Sequence, residues 1–102
     1  MNTMAEVLAE DRRLATLRAL DEASGSQLNE GTLQHALSRI GHMVGHDIVR
    51  ADLAWLETHG LVRIEKLTMQ SGALWLAHLQ IAGADVANGR AHHPGVARRE
   101  PD

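Results

Sequence analysis

The 102-residue chain has no cysteine, phenylalanine or tyrosine, only two tryptophans and only two prolines. Without cysteine there can be no disulfide, no thiolate metal ligand and no cysteine nucleophile. Without phenylalanine or tyrosine, a core must be built from Leu, Ile, Val, Ala and Met, which suits a helix-rich fold better than a β-sandwich. No apolar run approaches the length of a transmembrane helix, and Glu6 comes too early for a signal-peptide core, so a cytoplasmic chain with no membrane partner is expected. An excess of positive charge is also missing. The formal charge is −3 and the isoelectric point near 6.1, whereas a dedicated nucleic-acid binder often has a basic balance. The acids lean to the N-terminal third, where Glu6, Glu10, Asp11, Asp21, Glu22 and Glu30 outnumber Arg12, Arg13 and Arg18; residues 34–72 are balanced.

An apolar content of 44% over this length supports one domain with a modest core. The clearest pattern begins at Leu33, where Leu33, Ala36, Leu37 and Ile40 recur at i, i+3, i+4 and i+7 and so make one apolar helix face. Gly41 is placed to end that helix, and Gly45 frees the backbone before the next, which gives a sharp turn over 41–45. From His46 to His59, Val49, Leu53 and Leu56 share a second helix face, with Gly60 just past its end. Residues 61–67 and 73–79 then alternate as strands around a Ser71-Gly72 turn, with Val62 and Ile64 on the face of Trp75, Ala77 and Leu79, and with Leu74 and Leu76 exposed opposite. Upstream, Thr3 and Glu6 have capping-box spacing for a first helix running to about Ala23. The apolar residues of this helix (Val7, Leu8, Leu14, Leu17 and Leu20) spread too widely for one stripe; either it is a bent helix wrapped on its own core or one side is a dimer face. Asn29 is a candidate cap for the helix ending at Ile40. A short last helix is expected over 80–88. The predicted fold is therefore mainly α with a small β-hairpin: a winged helix-turn-helix of three core helices, a two-stranded wing and a short C-terminal helix over 1–89, followed by a flexible tail over 90–102.

The runs Gly41-His42-Met43-Val44, Val49 to Glu57 and Gly60-Leu61-Val62 resemble the small winged-helix proteins of Mu-like prophages, which are grouped with ArsR-type regulators. The resemblance spans about Leu14 to Val96 and implies a DNA-binding regulator. Such proteins often cap the recognition helix with Ser or Thr. Here that place is Gly45, so a hydroxyl that could also touch a phosphate is missing.

On the helix from His46, a 100° projection places His46, Asp47, Arg50, Ala51, Ala54 and Glu57 opposite the core face, as candidates for contact with the groove of double-stranded DNA. Arg50 suits direct readout, since its forked donors match guanine O6 and N7; the alternative is a surface pair with Asp47 or Asp52. Arg50→Ala should leave the fold intact, because the core face of Val49, Leu53 and Leu56 is untouched. Arg63 and Lys66 are the hairpin's bases, placed either to approach phosphates or simply to be solvated. Trp55 is expected to pack on a neighbouring element. The seven histidines lack metal-site spacing, because His42 and His46 straddle the turn and no cysteine accompanies them, so neither a metal nor any other cofactor is expected. No serine shows a His and Asp partner pattern and no phosphate loop is present, so no enzyme is expected. Two functions remain open: a homodimeric phage or prophage DNA-binding regulator, with the His46 helix in the major groove and the wing on the backbone, or a winged-helix module that binds a phage or host protein.

Overall fold

The computed structural model describes residues 2–100. It is an α+β arrangement of four α-helices and one three-stranded antiparallel sheet: α1 (Met4–Glu22), β1 (Gln27–Asn29), α2 (Glu30–Arg39), α3 (His46–Thr58), β2 (Val62–Met69), β3 (Gly72–Leu79) and α4 (Ile81–Ala87). Helix α1 starts where the Thr3 hydroxyl accepts the Glu6 N–H at 3.2 Å. The other half of the capping box does not form: the Glu6 carboxylate takes the Thr3 hydroxyl instead of the Thr3 N–H. Helix α2 is capped by Asn29, whose side-chain oxygen accepts the Thr32 N–H at 2.8 Å. Helix α3 closes through Gly60 at φ 73°, a conformation that costs a side-chain-bearing residue, and the Leu61 N–H turns back to the Leu56 carbonyl at 3.0 Å. That turn feeds the chain directly into β2.

Strands β2 and β3 pair with Val62 opposite Leu79, Ile64 opposite Ala77 and Lys66 opposite Trp75, which puts Val62 and Ile64 on the face expected for them. They run further than expected, to Met69 and from Gly72, leaving Gln70 and Ser71 at the tip. The sheet is not two-stranded. Residues 27–29 add β1 to the free side of β3, giving the order β1-β3-β2, with Leu28 opposite Ala77. A three-residue strand is too short to show a period and forms because β3 presents an open row of donors and acceptors.

The core joins all the helices to one sheet face: Leu17 and Leu20 of α1, Leu33 and Leu37 of α2, Val49, Leu53 and Leu56 of α3, then Leu61, Val62, Ala77, Val86 and Ala87. The predicted faces of α2 and α3 are the buried ones, apart from Ala36, which is half-buried, and Ile40, which ends α2 and is 62% exposed. Helix α1 divides its apolar residues: Leu17 and Leu20 are fully buried, while Met4, Val7 and Leu8 stand in solvent.

The expected flexible tail is packed chain as far as Arg99. Val96 is 2% exposed and belongs to the core. The Ala97 N–H donates to the Glu10 carbonyl at 3.1 Å, Arg13 donates to the Gly95 carbonyl at 2.9 Å, and Arg99 donates to the Ala87 carbonyl at 3.1 Å. One buried valine among polar residues leaves no compositional trace, which is why the segment reads as solvated chain. Residues 101–102 of the expected tail, like Met1 of the expected domain, lie outside the described residues.

Candidate functional site

The surface of interest is built on the first two turns of α3 and the hairpin beside it, and its centre is a residue the helix projection does not select. Glu30 is the first residue of α2, directly after the Asn29 cap, and is 1% exposed. Arg50 Nε donates to its Oε1 at 2.6 Å and Arg50 Nη2 to its Oε2 at 2.9 Å. The Trp75 backbone N–H donates to Oε2 at 2.6 Å, and His46 Nε2 lies 2.5 Å from Oε1. A carboxylate at a helix N-terminus is favoured by the free N–H groups there, and the bidentate guanidinium fork is the strongest partner a carboxylate finds among side chains. The Arg50 hydrogen bonds, helped by the Trp75 N–H and by His46, hold the Glu30 carboxyl below its ordinary range against the opposing effect of burial. The same contact holds the Arg50 guanidinium above its ordinary value. Glu30 thus ties α2, α3 and β3 together.

Arg50 therefore points along the surface toward α2 and β3. Its Nη2 also donates to the Ala73 carbonyl at 2.8 Å, and its guanidinium lies 4.7 Å from the centre of the Trp75 ring. The alternative of a pair with Asp47 or Asp52 is not what forms either. Asp52 is buried and is held by Arg12 of α1, whose Nη2 lies 3.0 Å from its Oδ1. Of the other predicted residues, Asp47, Ala51 and Ala54 are exposed, His46 is half-exposed and engaged with Glu30, and Glu57 accepts the Ile64 N–H at 2.8 Å. Arg63 and Lys66 are both exposed but fall on opposite faces of β2 by strand alternation; Lys66 lies over the Trp75 ring at 4.7 Å. The open face of α3 thus presents Asp47, Ile48, Ala51 and Ala54, with no cation of its own that is free of a carboxylate.

Leu74 and Leu76, expected to be exposed, are half-buried; Leu76 sits between Asn29 of β1 and Glu65 of β2. Trp55 packs on the far side of α3, stacked on His59 at 3.9 Å, with Arg13 over its ring at 4.2 Å and His93 edge-on at 5.8 Å. Among the described residues no three His, Cys, Asp or Glu side chains converge as a metal site, and no helix is long and apolar enough to cross a membrane. The available signal for Glu30 was an acid at the first position of a capped helix; nothing local said which arginine would reach it.

No family model matches the chain. It is 40% identical over 96 residues to protein gp26 of Escherichia phage Mu, a match covering 94% of this chain and 95% of that protein. It is also 44% identical over 62 residues to a protein of Haemophilus influenzae, covering 61% of this chain and 60% of that one. The chain belongs to the family of phage Mu gp26.

Proposed function

We propose that this member of the gp26 family is a winged-helix module of Mu-like phages that acts in the cytoplasm by docking a phage or host protein on the α3 and hairpin face. The element order supports the winged-helix reading: two helices across the 41–45 turn, followed by the β2–β3 hairpin in the place of a wing. The choice of partner rests on one observation, the bidentate engagement of Arg50 by Glu30. Affinity for duplex DNA comes largely from free Lys and Arg side chains that displace counterions from phosphates. The α3 face has its only arginine neutralised, with Asp47 and Glu57 beside it and Ile48 and two alanines between. Such a face lacks the free cations that a duplex contact draws on, and Ile48 with the two small alanines leaves a shallow apolar surface for a partner side chain to pack on.

The second reading, a sequence-specific DNA-binding regulator, is favoured by the exposure of Ala51 and Ala54, whose small side chains would let α3 approach a groove with Lys66 beside it. Two measurements on the full chain separate the readings: a low-salt gel shift with DNA from the gene's own neighbourhood, and co-purification from cells carrying the induced phage. Each is repeated with Ala51→Glu and Ala54→Glu. The docking reading expects no sequence-dependent shift and a specific partner lost in both variants. A site-specific shift abolished by the same variants would establish the DNA reading instead.

A further inference from the structure

Helix α1 turns toward solvent a stripe that the core does not use, and its two halves differ. The first half carries bulky exposed apolar side chains: Met4 at 71%, Leu8 at 49% and Val7 at 39%. The second half borders an open groove against α2, walled by Leu14, Ala15, Ala19, Ala36 and Ile40 together with the polar Asp11, Arg18, Glu22 and His42. Exposed methyl-rich residues beside an unfilled groove leave surface in water that a matching body would cover.

The charges on the stripe identify that body. Asp11 and Arg18 lie on the same outward face, two turns and about 10 Å apart along the axis, too far to pair with each other. Asp11 has no hydrogen bond or ion pair among the described residues, and the Nε of Arg18 is buried without a hydrogen-bond partner. A two-fold axis between Leu14 and Ala15 pairs residues whose numbers sum to 29. It therefore sets Asp11 of each copy against Arg18 of the other, twice. The same operation reverses the helix and brings Val7 and Leu8 of one copy level with Glu22 and Asp21 of the other, Glu22 being itself part of the groove wall. The small Ala15 sits at the crossing, where close approach is needed. A face whose Asp11 and Arg18 are complementary to themselves under one two-fold axis, around an apolar centre at Leu14 and Ala15, fits an isologous contact.

We propose that the occupant of this face is a second copy of the chain, in an antiparallel α1–α1 dimer centred on Leu14 and Ala15 and locked by two Asp11–Arg18 pairs. The proposal does not depend on what α3 binds, because the two faces lie on different helices. Sedimentation of the full chain across the micromolar range tests it. The native chain should be a dimer, and Asp11→Arg and Arg18→Asp should each weaken association by about tenfold or more through like charges, with the helical circular dichroism unchanged. Mixed one to one, the two variants should dimerise again, because a copy with two arginines then faces a copy with two aspartates. Leu8→Glu, set by the same axis level with Asp21 and beside Glu22 of the other copy, gives an independent check and should also favour the monomer. A native monomer at these concentrations would overturn the proposal. So would a dimer indifferent to both reversals, or a mixture that stays monomeric.

Discussion

Arg50 and Glu30 are joined by two parallel hydrogen bonds, 2.6 and 2.9 Å long, between the second turn of α3 and the first residue of α2. The arginine that helical projection offers as a base reader is therefore a clamp between the two helices of the turn. Arg50→Ala should lower thermal stability, because it strips a buried carboxylate of its main partner. The sequence-based expectation was an unchanged fold. In an Arg50→Ala/Glu30→Leu double variant the cost should shrink, since no unpaired charge is left inside. As a scale, Leu53→Ala should destabilise by about 2–5 kcal/mol through its cavity. Thermal melts of the four proteins decide; an Arg50→Ala melt identical to that of the native chain would refute the clamp.

The same contact makes stability depend on acid. Glu30 is held below its ordinary value of 4.5, first by Arg50 and then by the Trp75 N–H and His46. The folded state thus binds this proton less readily than the unfolded chain does. The resulting stabilisation is complete above pH 4.5 and is lost as pH falls through the depressed folded value. Glu30→Gln should flatten the acid limb of a stability–pH curve while lowering the plateau, and urea titrations from pH 7 to pH 3 measure both.

A second acid-sensitive contact holds the C-terminal segment. His93 Nε2 lies 3.1 Å from His59 Nδ1, and burial, with the nearby His59 and His92, pushes the His93 imidazole below its ordinary value of 6.5. Because the folded state disfavours the charged ring, this contact stabilises fully above pH 6.5 and weakens as pH falls through the lowered value. In a Trp75→Phe background, Trp55 fluorescence should change over that range, and His93→Phe should remove the change.

Gly95 is where the C-terminal segment crosses Trp55. At φ 91° it occupies a region that L-residues rarely adopt, and a Cβ there would stand 2.5 Å from the Trp55 ring. Gly95→Ala should cost about 1–3 kcal/mol through strain and the displaced ring. Amide exchange at Val96 and Ala97 should speed up more than exchange at Leu53. Equal protection in both proteins would mean that the segment is held elsewhere.

Periodicity made α2, α3 and the β2–β3 hairpin legible, because each is a local pattern. The i, i+3, i+4 spacing through Leu33 and Leu37 and the alternation through Val62 and Ile64 oblige one face to turn inward, whatever it meets there. Both helix stops at glycine were legible for the same reason, since a left-handed turn is a property of one residue. The sequence by itself thus determined the helices, the shared face of the hairpin strands and most of the core. Tertiary structure alone decided three things: that β1 adds to β3, that the C-terminal segment crosses Trp55 at Gly95 and buries Val96, and that Arg50 turns to Glu30. Each joins residues at least 20 positions apart, and for Arg50 the deciding factor was the presence of a buried carboxylate at the start of α2. Helical projection states which way a residue's Cα–Cβ bond points, but a long arginine side chain goes wherever the strongest available charge is held.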